Sequence, residues 1–277
     1  MKVPPDPSAV EIAQSFDSLS RYLGARITLR ADRSTDIVIP AAEHALDSDG
    51  RHGELALMCG IDIATGMASS MASESTGATL TTDMSIDLLD RPAPGELRTV
   101  GRVLKVGKRV IVNEAVVTDR TGRTVAFATV GCSPVGDIRS DLQTGGFLPD
   151  RTIDLASPEL AGQPIGQAYN TSPPDGGFGD APAPLASIAL NSMTANPFGF
   201  LHGAVGAYLF LSGARRAGVK QPGSLTVRYL RPTTHGPADV LVDDVFGNGG
   251  MTGVKLSLRD RATTKVACVA HVAGVSR

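Results

Sequence analysis

Apolar and polar residues follow the same order twice along the chain. In the first half, a short apolar strand at 36–40 precedes a proline-free apolar run from Gly53 to about Ser73, which predicts a long helix. Alternating stretches then predict four strands, at 79–89, 96–107, 108–119 and 123–132. Turn-forming residues separate these stretches. We therefore expect a strand, a long helix and a meander of four strands.

The second half repeats this plan with a strand at 187–193 and a helix from Gly203 to Ala217. The predicted strands that follow are 224–230, 238–247, 251–260 and 264–274. A long helix followed by antiparallel strands predicts an α+β architecture in which the sheet wraps the helix. Two such units explain the length of 277 residues better than one large fold.

Proline, glycine and aspartate are frequent between the two repeats. This composition predicts a linker that partly packs and is not a third domain. We therefore expect an N-terminal domain at 1–137, a linker at 138–184 and a C-terminal domain at 185–277.

Composition excludes several classes of function. A net charge of −2 argues against a protein that binds nucleic acid or an anionic membrane surface. Three scattered cysteines, Cys59, Cys132 and Cys268, fit a reducing cytoplasm and indicate no disulfide framework. No signal peptide is evident, and no apolar run reaches the ~20 residues that cross a bilayer. No metal-ligand spacing or cofactor fingerprint is recognisable, so we expect neither a metal nor a cofactor.

Both predicted helices begin at a His-Gly step, His52-Gly53 and His202-Gly203. The first backbone N–H groups of a helix lack partners within the helix, and together with the helix dipole they can stabilise an oxyanion. A carboxylate on a neighbouring apolar helix could then act as base or nucleophile. Asp62 is such a carboxylate, but it lies ~13 Å along the helix from Gly53. It is better placed to face the start of the other helix, packed antiparallel beside it.

The stretch NPFGFLHG at 196–203 resembles the N-x-x-G-x-x-H-G motif of hotdog-fold acyl-CoA thioesterases, in the branch that includes phenylacetyl-CoA and 4-hydroxybenzoyl-CoA thioesterases. The resemblance covers residues 20–133 and 185–275. It implies two hotdog domains in tandem, packed as an internal pseudo-dimer that could associate further into a homo-oligomer. It also implies hydrolysis of an acyl thioester of coenzyme A or of an acyl-carrier protein, in lipid metabolism.

In the resembled family, the site lies between two hotdog units. The resemblance implies that Asn196, His202 and Gly203 form one wall, that Asp62 faces them, and that the hydroxyl of Thr81 assists. Family members commonly place this carboxylate nine residues after the histidine, whereas Asp62 follows His52 by ten.

The reciprocal site would combine Leu46, His52 and Gly53 with Ser212. It lacks both the amide and the carboxylate, so we expect one working site per chain. Asp62 could also belong to a solvent-facing stripe, and Asn196 before a proline could simply start a turn.

Two other functions remain open for the same fold. A hydratase or dehydratase acting on acyl thioesters would require His202 to act directly on the acyl chain. A non-catalytic acyl-CoA or lipid-binding protein would keep the cleft without the chemistry.

Coenzyme A phosphates would need basic residues at the rim of the cleft. The candidates are Arg231, Lys105, Lys108 and Arg109, although a solvated turn explains each of them better.

Overall fold

A single sheet forms the framework of the protein, in a computed structural model that describes residues 15–73, 78–135, 150–160, 162–173 and 182–276. The helices are α1 (Ser18–Tyr22), α2 (Glu54–Ala72), α3 (Ile165–Ala168) and α4 (Gly203–Arg216), with 3-10 turns at Glu43–Ala45 and Pro158–Leu160. The strands are β1 (Arg26–Leu29), β2 (Thr35–Ile39), β3 (Thr79–Leu88), β4 (Leu97–Val106), β5 (Ile111–Asp119), β6 (Thr124–Pro134), β7 (Arg151–Asp154), β8 (Ala186–Ile188), β9 (Gln221–Tyr229), β10 (Ala238–Asn248), β11 (Met251–Asp260) and β12 (Lys265–Val275).

The twelve strands follow the order β7-β1-β2-β4-β5-β6-β3-β9-β12-β11-β10-β8, and neighbours are antiparallel. The two halves meet at the centre, where β3 pairs with β9 in a register that sets Met84 opposite Val227. The sheet therefore continues from one half of the chain into the other.

The predicted four-strand meander is wrong in one connection of each half. The hairpins β4-β5-β6 and β10-β11-β12 are meanders, but β3 pairs with β6 and β9, and β9 pairs with β12. A hairpin between β3 and β4 would need a short turn. The proline-containing connection 89–96 is longer, and it carries the chain across the intervening strands.

Helices α2 and α4 pack on the sheet and contact each other. Gly101 on β4 permits the close approach of α2, because a Cβ there would lie 2.7 Å from the backbone carbonyl carbon of Ala64. By length and composition α2 could span a membrane, although the sequence predicted no such run. Within the fold, 83% of its most apolar 18-residue stretch is buried, as expected for the core helix of a globular protein.

Part of the proline- and glycine-rich segment packs against the sheet. Strand β7 forms the edge of the sheet and pairs with β1, and neither strand was predicted from the sequence. Tyr169 is 1% exposed, and its hydroxyl donates to the Met193 carbonyl oxygen at 2.9 Å. The expected boundary at 137 lies outside the described residues, within 136–149.

Candidate active site

A tight loop leads into α4 and sets the direction of its first turn. Asn196 begins the loop: its N–H donates to the Phe200 carbonyl oxygen at 2.7 Å, and its Oδ1 accepts from the N–H groups of Phe198 and Phe200 at 3.0 and 3.1 Å. Gly199 has a φ of +80°, which glycine adopts without strain. The Asn and first Gly of the NPFGFLHG motif thus have a local structural role.

The carboxylate of Asp62 lies against the first turn of α4, the helix of the other half. Its Oδ2 accepts a hydrogen bond from the Ala204 N–H at 3.1 Å and lies 3.2 Å from His202 Nδ1. Its Oδ1 accepts a hydrogen bond from the Thr81 hydroxyl at 2.7 Å. A Cβ on Gly203 would lie only 2.7 Å from Oδ2, so glycine permits this approach. The structure thus brings together Asp62, Thr81, His202 and Gly203.

The Gly203 N–H, at the first position of α4, has no hydrogen-bond partner among the residues that the structure describes. Gly203 also lines the cavity beside Asp62. An unpartnered N–H at a helix N-terminus therefore lies in the same residue that contacts the Asp62 carboxylate, and such a donor is suited to a developing oxyanion.

Asp17 lies on the opposite side of the His202 ring, and sequence reasoning missed it. Its Oδ1 is 3.5 Å from His202 Nε2 and accepts a hydrogen bond from the Ser20 N–H at 2.8 Å, as the N-cap of α1. Asp17 and His202 are 8% and 5% exposed, respectively. The imidazole is therefore enclosed between two carboxylates, those of Asp17 and Asp62.

These two carboxylates favour a protonated His202. Burial alone would lower the pKa of His202, but the Asp17 charge and hydrogen bonds to Asp17 and Asp62 raise that pKa to about 10. Burial likewise opposes ionisation of Asp17, yet His202 lowers the pKa of Asp17 overall. A protonated Nδ1 cannot accept from the Ala204 N–H, which lies 3.1 Å away, so that N–H donates to Asp62 instead.

The cavity at this site has a volume of about 460 Å³. Apolar side chains line much of it, among them Phe16, Ile63, Met67, Leu80, Phe198 and Leu201. Tyr229 also lines it and donates from its hydroxyl to the Gly203 carbonyl oxygen at 2.8 Å, which ties the start of α4 to β9. Asn196 lines the cavity but makes no hydrogen bond with Asp62 in the described part of the chain.

The basic residues proposed for carrier contacts lie in different places. Arg231 lines the cavity. Lys105, Lys108 and Arg109 are exposed around the β4–β5 turn and line neither of the two main cavities.

The two His-Gly steps do not occupy equivalent positions, because α2 begins one residue later than the alignment of His52 with His202 predicts. Gly53, not His52, is the N-cap of α2, whereas His202 is the N-cap of α4. The loop before α2 repeats the hydrogen bonds of the Asn196 loop, with Asp47 N–H donating to the Arg51 carbonyl oxygen at 2.8 Å. Asp47 therefore corresponds to Asn196, and the match with Leu46 is wrong.

The same register makes Leu211 the counterpart of Asp62, because each is the ninth residue of its helix. The match of Asp62 with Ser212 is therefore also wrong. Counted from the N-cap Gly53, Asp62 is nine residues on, which removes the spacing discrepancy noted in the sequence. Leu211 is fully buried and cannot supply a carboxylate.

A second cavity of about 760 Å³ lies at the start of α2. Glu54 takes the helix position that Gly203 has in α4, and it forms an ion pair with Arg215 across the cavity. His52 is 1% exposed, and burial lowers its pKa to about 4. Asp47, His52 and Gly53 line this cavity, but among the described residues no carboxylate there accepts a hydrogen bond from the first turn of α2 as Asp62 does from that of α4.

No family model matches the chain, and no curated protein matches it. Solved structures do share its fold over most of their length. An acyl-ACP thioesterase from Bacteroides thetaiotaomicron is 11% identical, with a TM-score of 0.54 over 87% of this chain and 97% of its own. A Lactobacillus plantarum protein provisionally named oleoyl thioesterase is 14% identical, with a TM-score of 0.57 over 90% and 99%.

A Thermobifida fusca protein provisionally named thioesterase II is 14% identical, with a TM-score of 0.55 over 94% of this chain and 98% of its own. These three proteins align over 97–99% of their own chains. The protein therefore has the fold of these thioesterase structures.

Proposed function

We propose that the protein is an acyl thioesterase built from two hotdog domains in tandem, with one working site between the two halves. The observation that carries this proposal is the position of Asp62: a carboxylate from one half accepts the Ala204 N–H and lies against Gly203 in the first turn of the helix of the other half. The shared fold with thioesterase structures supports the same reaction class.

The hydrogen bonds of Asp62 suggest which of its oxygens reacts. Oδ2 receives the Ala204 N–H and faces His202 Nδ1, whereas Oδ1 receives one donor, the Thr81 hydroxyl. Oδ1 therefore keeps a free lone pair. It can remove a proton from water, or it can attack the thioester carbonyl itself.

In the general-base course, Oδ1 takes a proton as the water oxygen bonds to the carbonyl carbon. The carbonyl oxygen becomes an oxyanion that accepts a hydrogen bond from the Gly203 N–H. The C–S bond then breaks, and the thiolate takes the proton from Asp62. The products are a carboxylic acid and a free thiol, and Asp62 returns to its carboxylate form without any cofactor.

The apolar lining of the first cavity favours an acyl group as the part of the substrate that it binds. Arg231 is the cation available there for a phosphate of coenzyme A or of an acyl-carrier protein. We propose a cytoplasmic enzyme of lipid metabolism acting on one of these carriers. His202 is buried between two carboxylates, so its geometry does not favour direct acid-base work on an acyl chain, as a hydratase would require.

Release of free thiol from a panel of acyl-CoAs tests the proposal. We expect turnover by the native protein and a loss of at least ~10²-fold in Asp62→Asn, the scale for a positioned general base. Ser212→Ala is the control, because Ser212 is on α4 away from its first turn and its hydroxyl interacts with Tyr208, to whose carbonyl oxygen it donates at 3.1 Å. Acyl-CoA binding without thiol release would make the protein a binding module. Full activity in Asp62→Asn would remove this carboxylate from the reaction.

A further inference from the structure

The N-terminal segment contributes a buried acid that the reaction scheme leaves unused. Asp17 precedes the short helix α1, its side chain is 6% exposed, and it lines the same cavity as Asp62. Two hydrogen bonds from Ser20, one from the N–H at 2.8 Å and one from the hydroxyl at 2.6 Å, fix its orientation. Ser20 alone does not require a charged residue here, because an asparagine N-cap also accepts a hydrogen bond from the helix N–H.

The charge of Asp17 has one cationic counterpart among the described contacts, the ring of His202 at 3.5 Å. An isolated buried carboxylate is costly, so this pairing favours a proton on His202. With both ring nitrogens protonated, Nε2–H faces Asp17 and Nδ1–H faces Asp62 at 3.2 Å.

We propose that Asp17 is a positioning residue that keeps His202 protonated and thereby fixes the Asp62 carboxylate for the reaction. The inference rests on the proposed function, because it assigns Asp62 the reacting oxygen. Asp17 itself does not act on the substrate in this scheme.

Loss of the proton on His202 would change two contacts of Asp62 together. A neutral ring with a free Nδ1 no longer donates to Asp62, and it becomes an acceptor for the Ala204 N–H at 3.1 Å. That N–H would then be shared between Nδ1 and Asp62 Oδ2, which lies at the same distance. Asp62 would retain Thr81 as its one undivided donor, and Oδ1 would be held less firmly.

The other titratable groups near the ring do not supply this charge. Cys59 lies on α2 near both acids, Tyr229 lies on β9, and Tyr169 lies near Asp17. Burial raises the pKa of each of these groups, so they stay neutral near pH 7. The protonation of His202 is therefore governed by Asp17 and Asp62.

Asp17→Asn tests the proposal, because an asparagine keeps the size and the N-cap acceptor but removes the charge. We expect kcat/KM to fall roughly 10- to 10²-fold at pH 8, the scale for a reacting group that is no longer held in place. The loss should shrink as the pH is lowered towards 5, because acid restores the proton on His202. The native protein should show no such decline between pH 6 and 8.

Ser20→Ala is the matched control, because it removes the hydroxyl bond to Asp17 without removing the charge. A structural role alone would give a pH-independent loss in Asp17→Asn, or similar losses in both variants. Either result would overturn the proposal, as would an Asp17→Asn profile identical to that of the native protein.

NMR titration of the His202 ring in the native protein gives a second measurement that needs neither folding of the variant nor catalysis. We expect the ring to remain protonated at pH 8, and a neutral ring at pH 7 would overturn the proposal. Absence of thiol release by a native protein whose ring is protonated would refute the thioesterase function while leaving the Asp17–His202 coupling intact.

Discussion

Replacement of Gly203 by alanine should impair the reaction while leaving the fold intact. The new Cβ would lie 2.7 Å from Asp62 Oδ2, and an ordinary contact requires about 3.4 Å, so the carboxylate must move by 3.4 − 2.7 = 0.7 Å. The Oδ2–Ala204 N distance is 3.1 Å, and the same shift could lengthen it to 3.1 + 0.7 = 3.8 Å, beyond hydrogen-bonding range.

The cost in activity follows from the hydrogen bond that is lost. A hydrogen bond to a charged group contributes about 1.5–3 kcal/mol, and each 1.4 kcal/mol of transition-state stabilisation is about tenfold in rate. We therefore expect kcat/KM for an acyl-CoA to fall roughly 10- to 10²-fold. Overpacking costs about 1–3 kcal/mol, and the preference for alanine over glycine, about 1 kcal/mol in a helix interior, offsets less of it at this first helical position. Thermal unfolding should shift by only a few degrees.

Gly53→Ala is the control, because its Cβ would approach a carboxylate oxygen of Asp47 to 3.0 Å at the start of the other helix. It crowds an acid in a comparable way but outside the proposed site, so activity should stay near the native value. Native activity in Gly203→Ala would refute the reasoning about Asp62. Equal losses in both variants would show that the cavity at the start of α2 also participates.

Two further predictions concern the loop and the buried histidine. Asn196→Asp keeps the oxygen that accepts hydrogen bonds within the loop before α4 but loses the amide donor, whereas Asn196→Ala loses both. Thiol release that survives in Asn196→Asp but falls in Asn196→Ala would assign the residue to the loop. Loss of thiol release in both variants would assign the amide to substrate binding. Because the pKa of His52 in the folded protein is about 4, below the unfolded value of 6.5, its contribution to stability is complete above pH 6.5 and is lost as the pH falls towards 4. Between pH 7 and pH 5 the free energy of unfolding of the native protein should therefore fall by about 2 kcal/mol through His52 alone, and His52→Gln should abolish that part of the fall. Denaturant unfolding at the two pH values measures it, and an unchanged pH dependence in the variant would contradict the assignment.

Periodicity predicted the long elements well because each has many residues on a buried face. The predicted helix from Gly53 to Ser73 agrees with α2, and the strand at 251–260 coincides with β11. The short strands β1 and β7 escaped prediction because four residues carry too little pattern, and their pairing joins segments more than 120 residues apart. The neighbours of β3 could not be read from local sequence, since strand order depends on how the connection at 89–96 crosses the sheet.

The candidate site was predictable where a motif marked it. The His-Gly step and the lone carboxylate on an apolar helix pointed to His202 and Asp62. Asp17 carries no motif, and 184 residues separate it from His202 along the chain. The one-residue shift between the two helix starts was also hidden, because the repeated His-Gly letters match while the N-caps that they form do not.

The pairing of β3 with β9 joins the two halves in one chain, and this has a genetic consequence. When identical subunits form such a pair, every mutation appears in both sites at once, and a site can change only if its symmetry mate tolerates the same change. When the two halves are joined in one chain, each half can mutate independently of the other. Leu211 occupies the position equivalent to Asp62, and Glu54 the position equivalent to Gly203, while the proposed site keeps its own residues. Selection on catalysis then acts on one cavity, and the other is free to acquire a new role.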